Sequence, residues 1–129
     1  MEAQAAGRAV LKSVAPQLVV VDVVATAEYY RDVFGFKILG YWAEPPVYSI
    51  VSRDGVEIHF GKAGQNGVSN AEVRSGSFDL YFWVNDVDAI FEELSAAGAE
   101  IIEGPVKRIY ESTELVVRDR NGYALVFAS

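Results

Sequence analysis

The chain has 129 residues, of which 51% are hydrophobic, and it contains no cysteine. This length and composition predict one domain with a sizeable apolar core and exclude wholesale disorder. The lack of cysteine excludes a disulfide scaffold, thiolate metal sites and a cysteine nucleophile. Acidic residues outnumber basic ones by 18 to 11, which gives a formal charge of −7. Because the sequence has no Lys and Arg cluster to neutralise phosphates, nucleic-acid binding is not expected.

The sequence also predicts no contact with a membrane. The most apolar stretch, residues 18–24, is interrupted by Asp22 and falls well short of the roughly 20 residues that cross a bilayer. The first fourteen residues lack a basic start followed by an apolar run of signal-peptide length. We therefore expect a cytoplasmic protein. Its acidic surface favours a cationic partner over an anionic one, although net negative charge also aids solubility by itself.

One helix and four strands are predicted for the first half of the chain. Residues 1–14 carry little periodicity and are expected to form an N-terminal arm. A helix is predicted over 25–35 because Ala27, Tyr30 and Phe34 recur at helical spacing. β-branched or alternating segments separated by turn signals predict the strands 17–23, 36–42, 47–51 and 56–60.

The second half repeats this order after a segment, 61–77, that is rich in Gly, Ser and Asn. That segment is predicted to be a long mobile connection. A helix follows over 86–98, and its first residues, Asp86-Val87, match the Asp22-Val23 that precedes the first helix. The strands predicted around it are 78–84, 99–102, 112–118 and 123–127.

The chain therefore contains a βαβββ unit twice, with an internal repeat of about 65 residues. Each unit alone is a small sheet with one helix, and pairing two units buries what each leaves exposed. The repeat predicts an α+β fold in a single domain, 15–128. That domain divides into a first unit at 15–60, the linker 61–77 and a second unit at 78–128.

Strand alternation assigns two different faces to the predicted strands. One face is wholly apolar and is expected to pack against the helices: Leu18, Val20, Ile58, Phe60, Leu80, Phe82, Leu125 and Phe127. The other face mixes polar, aromatic and small side chains: Gln17, Val19, Glu57, His59, Asp79, Tyr81, Trp83, Ala124 and Val126. A purely structural face open to water rarely carries Tyr, Trp and Val together, so the mixed face predicts the lining of a ligand cleft.

Three signatures occur in order along the chain: YYRDVFGF at 29–36, DVDAIFEEL at 86–94, and RDRNGY at 118–123. Together they resemble the glyoxalase / bleomycin-resistance / dioxygenase group, the vicinal oxygen chelate superfamily, over about residues 15–128. The resemblance implies a cupped mixed sheet with the helices on its outer face. It also implies a homodimer, which in this group can be domain-swapped. Arg120 and Glu111 depart from the usual residues of the last segment and affect that loop rather than the fold.

Enzymes of this superfamily hold a divalent metal inside the cupped sheet. The resemblance places their four ligand positions at Ala15, His59, Asp79 and Val126. Ala15 and Val126 cannot coordinate a metal, whereas catalytic metal sites generally need three protein ligands. We therefore expect no metal and no other cofactor. The alternative is a glyoxalase-like lyase or an extradiol-type dioxygenase, with His59 and Asp79 as a partial ligand set that a second subunit completes.

The metal-free, bleomycin-resistance type of this group sequesters a drug in a groove of aromatic rings and carboxylates. The resemblance to it implies antibiotic resistance by binding rather than by catalysis, with an amphipathic, cationic aromatic small molecule as the ligand. The candidate ligand-binding residues are Trp42, Tyr48, Glu57, His59, Asp79, Tyr81, Trp83 and Glu114. Their rings can stack on the ligand, and their carboxylates can balance its charge. No catalytic residue is assigned, because no nucleophile accompanies His59.

Several of these residues also have ordinary structural explanations. His59 can fill a hydrogen-bonded structural role, and Asp79 can pair with a cation of its own chain. Tyr81 and Trp83 can lie in a dimer interface, where aromatic residues are enriched, and Trp42 can lie in a surface patch. A third hypothesis is a dimeric scaffold whose cleft is vestigial or serves protein partners.

Overall fold

The computed structural model describes residues 7–129, so residues 1–6 of the expected arm lie outside the described part. Residues 8–14 of that arm, and residues 15–16 after it, form no regular secondary structure. The elements in chain order are β1 (Gln17–Val20), α1 (Val23–Asp32), β2 (Lys37–Trp42), β3 (Tyr48–Arg53), β4 (Val56–Lys62), α2 (Asn70–Val73), β5 (Leu80–Trp83), α3 (Val87–Ala96), β6 (Glu100–Lys107), β7 (Thr113–Arg118) and β8 (Ala124–Ala128). Within residues 7–129, no helix has the length and apolar character that crossing a bilayer requires.

The eight strands form two four-stranded sheets of the same topology. The N-terminal sheet has the order β1-β4-β3-β2, and the C-terminal sheet has the order β5-β8-β7-β6. In each sheet the first strand pairs in parallel with the last, and the remaining pairs are antiparallel. The predicted α+β fold of two βαβββ units is confirmed, and each unit supplies a complete sheet of its own.

The long helix of each unit begins at an aspartate, as the repeat predicts. The Asp22 carboxylate accepts hydrogen bonds from two backbone N–H groups in the first turn of α1, and Asp86 accepts one in α3. Both side chains thereby satisfy donors that a helix start leaves free. A positive φ at Gly35 (74°) and at Gly98 (86°) then turns the chain away from each helix, a conformation that glycine adopts without strain.

The apolar strand faces form the core. Seven of the eight predicted side chains are at most 9% exposed, and Phe82 is partly buried against the same cluster. Helix residues such as Tyr30 and Leu94 join this cluster, which contains side chains from both units. The buried Tyr30 hydroxyl also donates a hydrogen bond across the units to Asp119, at 2.6 Å. One continuous core therefore unites the two units.

Two strand boundaries differ from the sequence prediction by three residues or more. β1 ends at Val20 rather than at residue 23, because Asp22 turns the chain into the N-cap of α1. β6 runs on to Lys107 instead of ending at residue 102, and it passes Gly104 and Pro105 with two shifts in its pairing register with β7. A proline is tolerated there because β6 is an edge strand whose outer N–H positions have no partner strand.

The linker 61–77 is more regular than its composition predicts. β4 extends to Lys62, and the short helix α2 is capped by the Ser69 hydroxyl. Asn66 Oδ1 accepts a hydrogen bond from the Val21 N–H, and the Gly67 N–H donates to the Val19 carbonyl. The segment predicted to be a long mobile connection therefore contains the end of a strand, a short helix and hydrogen bonds to the first unit. Its small polar residues bury little apolar surface, but they provide the hydrogen bonds that hold the segment to β1.

Candidate functional site

Four predicted ligand residues meet on the distal face of the N-terminal sheet, the face turned away from α1. They are Trp42, Tyr48, Glu57 and His59. The strand register explains why they meet: Tyr48 of β3 lies opposite Trp42 of β2, and His59 of β4 lies opposite Gln17 of β1. Glu57 precedes His59 by two residues and therefore projects from the same side of β4.

A chain of hydrogen bonds runs across this face. Gln17 Nε2 donates to the Tyr48 hydroxyl at 3.0 Å, and that hydroxyl lies 2.7 Å from His59 Nδ1. On the other side of the ring, His59 Nε2 lies 2.7 Å from Glu57 Oε1. A neutral imidazole with its proton on Nε2 satisfies every contact, because Tyr48 then donates to Nδ1. Both ring nitrogens are occupied, so His59 holds Tyr48 and Glu57 in place.

The Trp42 ring adds a second aromatic surface beside this chain. Trp42 is 47% exposed, and its ring contacts Tyr48 edge-on with 6.3 Å between centroids. It also lies over Gly40, where a Cβ atom would be 3.2 Å from Trp42 Cη2. The glycine therefore lets the indole lie close to the strand. Two aromatic rings and a carboxylate held by an imidazole thus share one accessible face.

The distal face of the C-terminal sheet is organised around Glu114, whose side chain is fully buried. Its carboxylate accepts hydrogen bonds from the hydroxyls of Tyr81 and Tyr110, both at 2.6 Å, and from Arg108 Nε at 2.8 Å. Burial alone would raise the pKa of Glu114, but the hydrogen bonds from the two tyrosines and from Arg108 outweigh burial and lower it. Arg108 also pairs with Glu103 at 2.8 Å, and these two carboxylates raise the pKa of its guanidinium.

Tyr81 and Trp83 contact each other on β5 but differ in exposure. Their rings meet edge-on at 5.2 Å. The Tyr81 hydroxyl is bonded to Glu114, whereas Trp83 is 73% exposed at the end of the strand. Beside them, Val116, Val126 and Ala128 form a second, smaller apolar cluster on the distal face, with Phe78 packed against it. The C-terminal sheet is therefore largely covered by its own side chains on both faces.

Asp79 takes no part in either group. Its carboxylate accepts hydrogen bonds from the Ser69 hydroxyl at 2.5 Å and from the backbone N–H groups of Asn70 and Ala124, both at 2.8 Å. Three donors of its own chain are therefore committed to this side chain. Asp79 connects the middle of the linker, at Ser69 and Asn70, to the start of β8, a role that only the folded chain reveals.

The donors at the superfamily's four metal positions do not fit a divalent ion. Val126 is fully buried and Ala15 carries no donor atom. The Asp79 carboxylate is held by three donors, and both nitrogens of His59 are already paired. Among residues 7–129, no group of three or more metal-ligating side chains comes together. The side chains at these four positions therefore do not form a site for a divalent metal.

Sequence reasoning missed the side chains that complete both faces. Gln17 was placed on the mixed face but not in the ligand set, although it is bonded to Tyr48. Arg108 and Tyr110 belong to the β6–β7 connection, and their contacts with Glu114 depend on how that hairpin folds. One sequence signal could have pointed to Arg108. Glu114 lies inside a predicted strand, between Thr113 and Leu115, and a glutamate that is buried there needs a cationic partner nearby.

The comparisons with known proteins agree with this architecture. The family model of the Glyoxalase/Bleomycin resistance protein/Dioxygenase superfamily matches residues 11–127. An integron cassette protein from the mobile metagenome of V. Cholerae is 25% identical, with a TM-score of 0.68 over 94% of this chain and 96% of that one. TioX from Micromonospora sp. ML1 is 23% identical, with a TM-score of 0.72 over 91% of this chain and 97% of that one.

A bleomycin-binding protein, solved in complex with bleomycin, has the same fold at 18% identity, with a TM-score of 0.73 over 92% of this chain and 98% of that one. A search of the curated proteins found no match. The family match spans nearly the whole chain, and the two βαβββ units account for it structurally. The chain therefore belongs to the Glyoxalase/Bleomycin resistance protein/Dioxygenase superfamily.

Proposed function

We propose that this protein binds an amphipathic, cationic aromatic small molecule on the distal face of the N-terminal sheet and holds it without chemical change. One observation carries the proposal: the aromatic rings of Trp42 and Tyr48 lie on the same face as the Glu57 carboxylate, and His59 is bonded to both Tyr48 and Glu57. A planar cation can stack on the rings while its charge lies near the carboxylate. Sequestering such a molecule would protect a cell from a toxic drug.

Binding rather than catalysis is supported by the way the polar atoms are used. The Tyr48 hydroxyl lies between Gln17 and His59, and both nitrogens of His59 are engaged. A general base needs a free lone pair within reach of a substrate proton, and this chain of hydrogen bonds leaves none on the imidazole. The proposal therefore includes no metal and no catalytic residue. The lack of cysteine is in keeping with work in the reducing cytoplasm.

A second copy of the chain is the proposed opposite wall of the site. The outer strands of the N-terminal sheet are β1 and β2, and those of the C-terminal sheet are β5 and β6. The linker already covers the outer side of β1 at Val19, but β2 and β6 have no partner strand on their outer sides within residues 7–129, and uncovered strand edges favour association. In the N-terminal arm, Leu11 is 97% exposed and Val14 is 88% exposed, and such side chains suit an arm that packs on a partner. We therefore propose a homodimer, with exchange of the arm as one way to form it.

Tryptophan fluorescence tests the proposal directly. The chain has two tryptophans, so Trp83→Phe leaves Trp42 as the reporter of the N-terminal sheet. The probes are 9-aminoacridine, a planar aromatic cation, and bleomycin, the ligand of one structural neighbour. We expect saturable quenching by at least one of them. Glu57→Gln should weaken binding of the cation about fivefold, in keeping with roughly 1 kcal/mol for a part-exposed charge contact.

The matched control is Glu92→Gln, which removes the same charge from an exposed position on α3. It should leave the affinity unchanged. Equal weakening by both variants would mean that the probe responds to net charge alone, and the assigned site would be wrong. Elemental analysis of tag-free protein purified without chelator supplies the second arm, because one equivalent of bound transition metal per chain would contradict the metal-free proposal.

A further inference from the structure

A cavity separate from the hydrogen-bonded group on the N-terminal sheet lies where the two units meet. Its volume is about 520 Å³, and it lies between the β3–β4 turn of the first unit and the N-terminal half of α3 in the second. Phe36, Phe82 and Phe127 line its apolar part, and the last two are stacked with 4.9 Å between centroids. Pockets that hold small molecules typically measure about 300–1,000 Å³.

The internal repeat places an equivalent contact between a turn and a helix elsewhere in the molecule, and there side chains fill the space between the turn and the helix. There the β7–β8 turn of the second unit meets α1 of the first. The Tyr30 hydroxyl donates to Asp119 at 2.6 Å, and Asn121 Nδ2 donates to the Thr26 hydroxyl at 2.9 Å. Tyr30 is fully buried and Tyr123 is 4% exposed. Side chains of the turn therefore fill this second contact between turn and helix.

Turn length explains why the two junctions differ. Residues 119–123 join β7 to β8, whereas Asp54 and Gly55 alone join β3 to β4. Arg53, the last residue of β3 before the short turn, contacts α3: its guanidinium donates to both carboxylate oxygens of Glu93, at 2.7 and 2.9 Å. Counted from the capping aspartates, Thr26 of α1 corresponds to Ile90 of α3, which lines the cavity. Where the first helix is hydrogen-bonded through Thr26 to Asn121, the equivalent position of α3 therefore presents the apolar side chain of Ile90 to the cavity.

The charges around the cavity indicate what it can accept. Asp54, Asp86 and Glu93 line it together with a single cation, Arg53. Arg53 is already engaged by Glu93, by the Phe34 carbonyl at 2.8 Å, and by Asp54, whose Oδ2 lies 3.5 Å from the Arg53 Nε. A group entering this cavity therefore meets aromatic rings at the bottom and an excess of carboxylate at the rim. An ammonium group is favoured there over an anion.

The geometry points to a second small-molecule site in this cavity, one that takes a compact aromatic amine in its protonated form. The site is independent of the ligand proposed for the N-terminal sheet, because Trp42, Tyr48, Glu57 and His59 do not line it. Trp83, which the sequence assigned to the cleft, lines this cavity at its rim. Its ring contacts Tyr81 on the distal side of β5, and its exposed position beside the cavity makes Trp83 fluorescence a nearby reporter of occupancy.

Fluorescence of Trp83 tests the site in the full chain, with Trp42→Phe removing the other tryptophan. The probe is 2-phenylethylammonium, for which we expect saturable binding with a Kd of about 0.1–1 mM, as suits a ligand of few atoms. Ala89→Phe places a ring in the cavity and should weaken binding at least about tenfold, since the ring occupies the same volume. Ala96→Phe, the same change at an exposed α3 position outside the lining, should leave the affinity unchanged.

Charge recognition is tested separately, so that the result does not depend on one variant folding. The parent should prefer 2-phenylethylammonium to neutral 2-phenylethanol, and Asp54→Asn should reduce that preference several-fold. Equal affinity in the parent and Ala89→Phe, no saturable response in the parent, or unchanged preference in Asp54→Asn would each overturn the site. So would a change of oligomeric state in Ala89→Phe, because the cavity would then be a subunit contact. Binding of 9-aminoacridine to the Trp42 side should persist in Ala89→Phe, which keeps this test separate from the proposed function.

Discussion

The two sheets share one topology, but their distal faces have opposite characters. On the N-terminal sheet, His59 and Glu57 are 23% and 43% exposed at their side chains, and the hydrogen bonds run along an accessible surface. On the C-terminal sheet, Glu114 is fully buried and Val126 is fully buried in the same layer. A repeated fold therefore yields an accessible polar and aromatic face in one copy and a second covered layer in the other.

The difference arises in the hairpin that follows each long helix. β6 has eight residues whereas β2 has six, and the connection after β6 brings Arg108 and Tyr110 onto the distal face. The connection after β2 contains two prolines, and Trp42 lies beside Tyr48 without a charged partner. A buried carboxylate needs charged and hydrogen-bonding partners, so Glu114 and Arg108 stabilise each other's position. The N-terminal face has no equivalent ion pair between β2 and β3 among the described residues.

The largest expected effect comes from removing the cation of the covered face. Arg108→Met leaves Glu114 buried without its charge partner, and we expect the free energy of unfolding to fall by about 3 kcal/mol. Adding Glu114→Met should restore stability to within about 1 kcal/mol of the parent, because an apolar pair can replace a buried ion pair. Urea denaturation at neutral pH measures both. Arg118→Met, which breaks an exposed pair with Glu100, is the control and should cost less than about 1 kcal/mol.

The Glu114–Arg108 pair predicts that the parent and Arg108→Met respond to acid in opposite ways. In the parent the pKa of Glu114 lies below its ordinary value of 4.5, so its contribution to stability is complete above that pH and is lost as pH falls through the folded-state value. In Arg108→Met, burial should dominate and raise that pKa, so acid should relieve the buried charge. The stability difference between parent and variant should therefore shrink from about pH 6 to about pH 3. A difference that stays constant with pH would show that Glu114 is not charged in the folded parent.

The smallest effects come from a matched pair of tyrosine variants. Tyr48→Phe removes the hydroxyl between Gln17 and His59, while Tyr81→Phe removes one donor to the buried Glu114. We expect losses of about 0.5 kcal/mol for Tyr48→Phe and about 1.5 kcal/mol for Tyr81→Phe, because only the second leaves a buried charge short of a donor. The affinity for 9-aminoacridine should show the reverse order and fall only in Tyr48→Phe. If the two variants changed the free energy of unfolding equally and the affinity for 9-aminoacridine equally, the proposed difference between the two distal faces would be wrong.

Much of the architecture was predictable because its causes are local. Asp22 and Asp86 cap the helices, and strand alternation identified the side chains that form the core. Alternation also placed His59 and Glu57 on one face, where the structure has them in contact. By contrast, strand alternation placed Asp79 in the cleft, because alternation takes no account of hydrogen-bond donors on other segments. Here those donors are Ser69 and Ala124.

The sequence by itself determined the two βαβββ units, their order and the apolar side of each sheet, because spacing and caps act within a few residues. Tertiary structure alone decided that Glu114 is covered by Arg108, and that a cavity remains beside α3. Both outcomes depend on how far the end of a hairpin lies from the helix or strand that it faces. This separation depends on turn length and on strand curvature across the whole unit. Local patterns carry no information about it, whereas the packed chain expresses it directly.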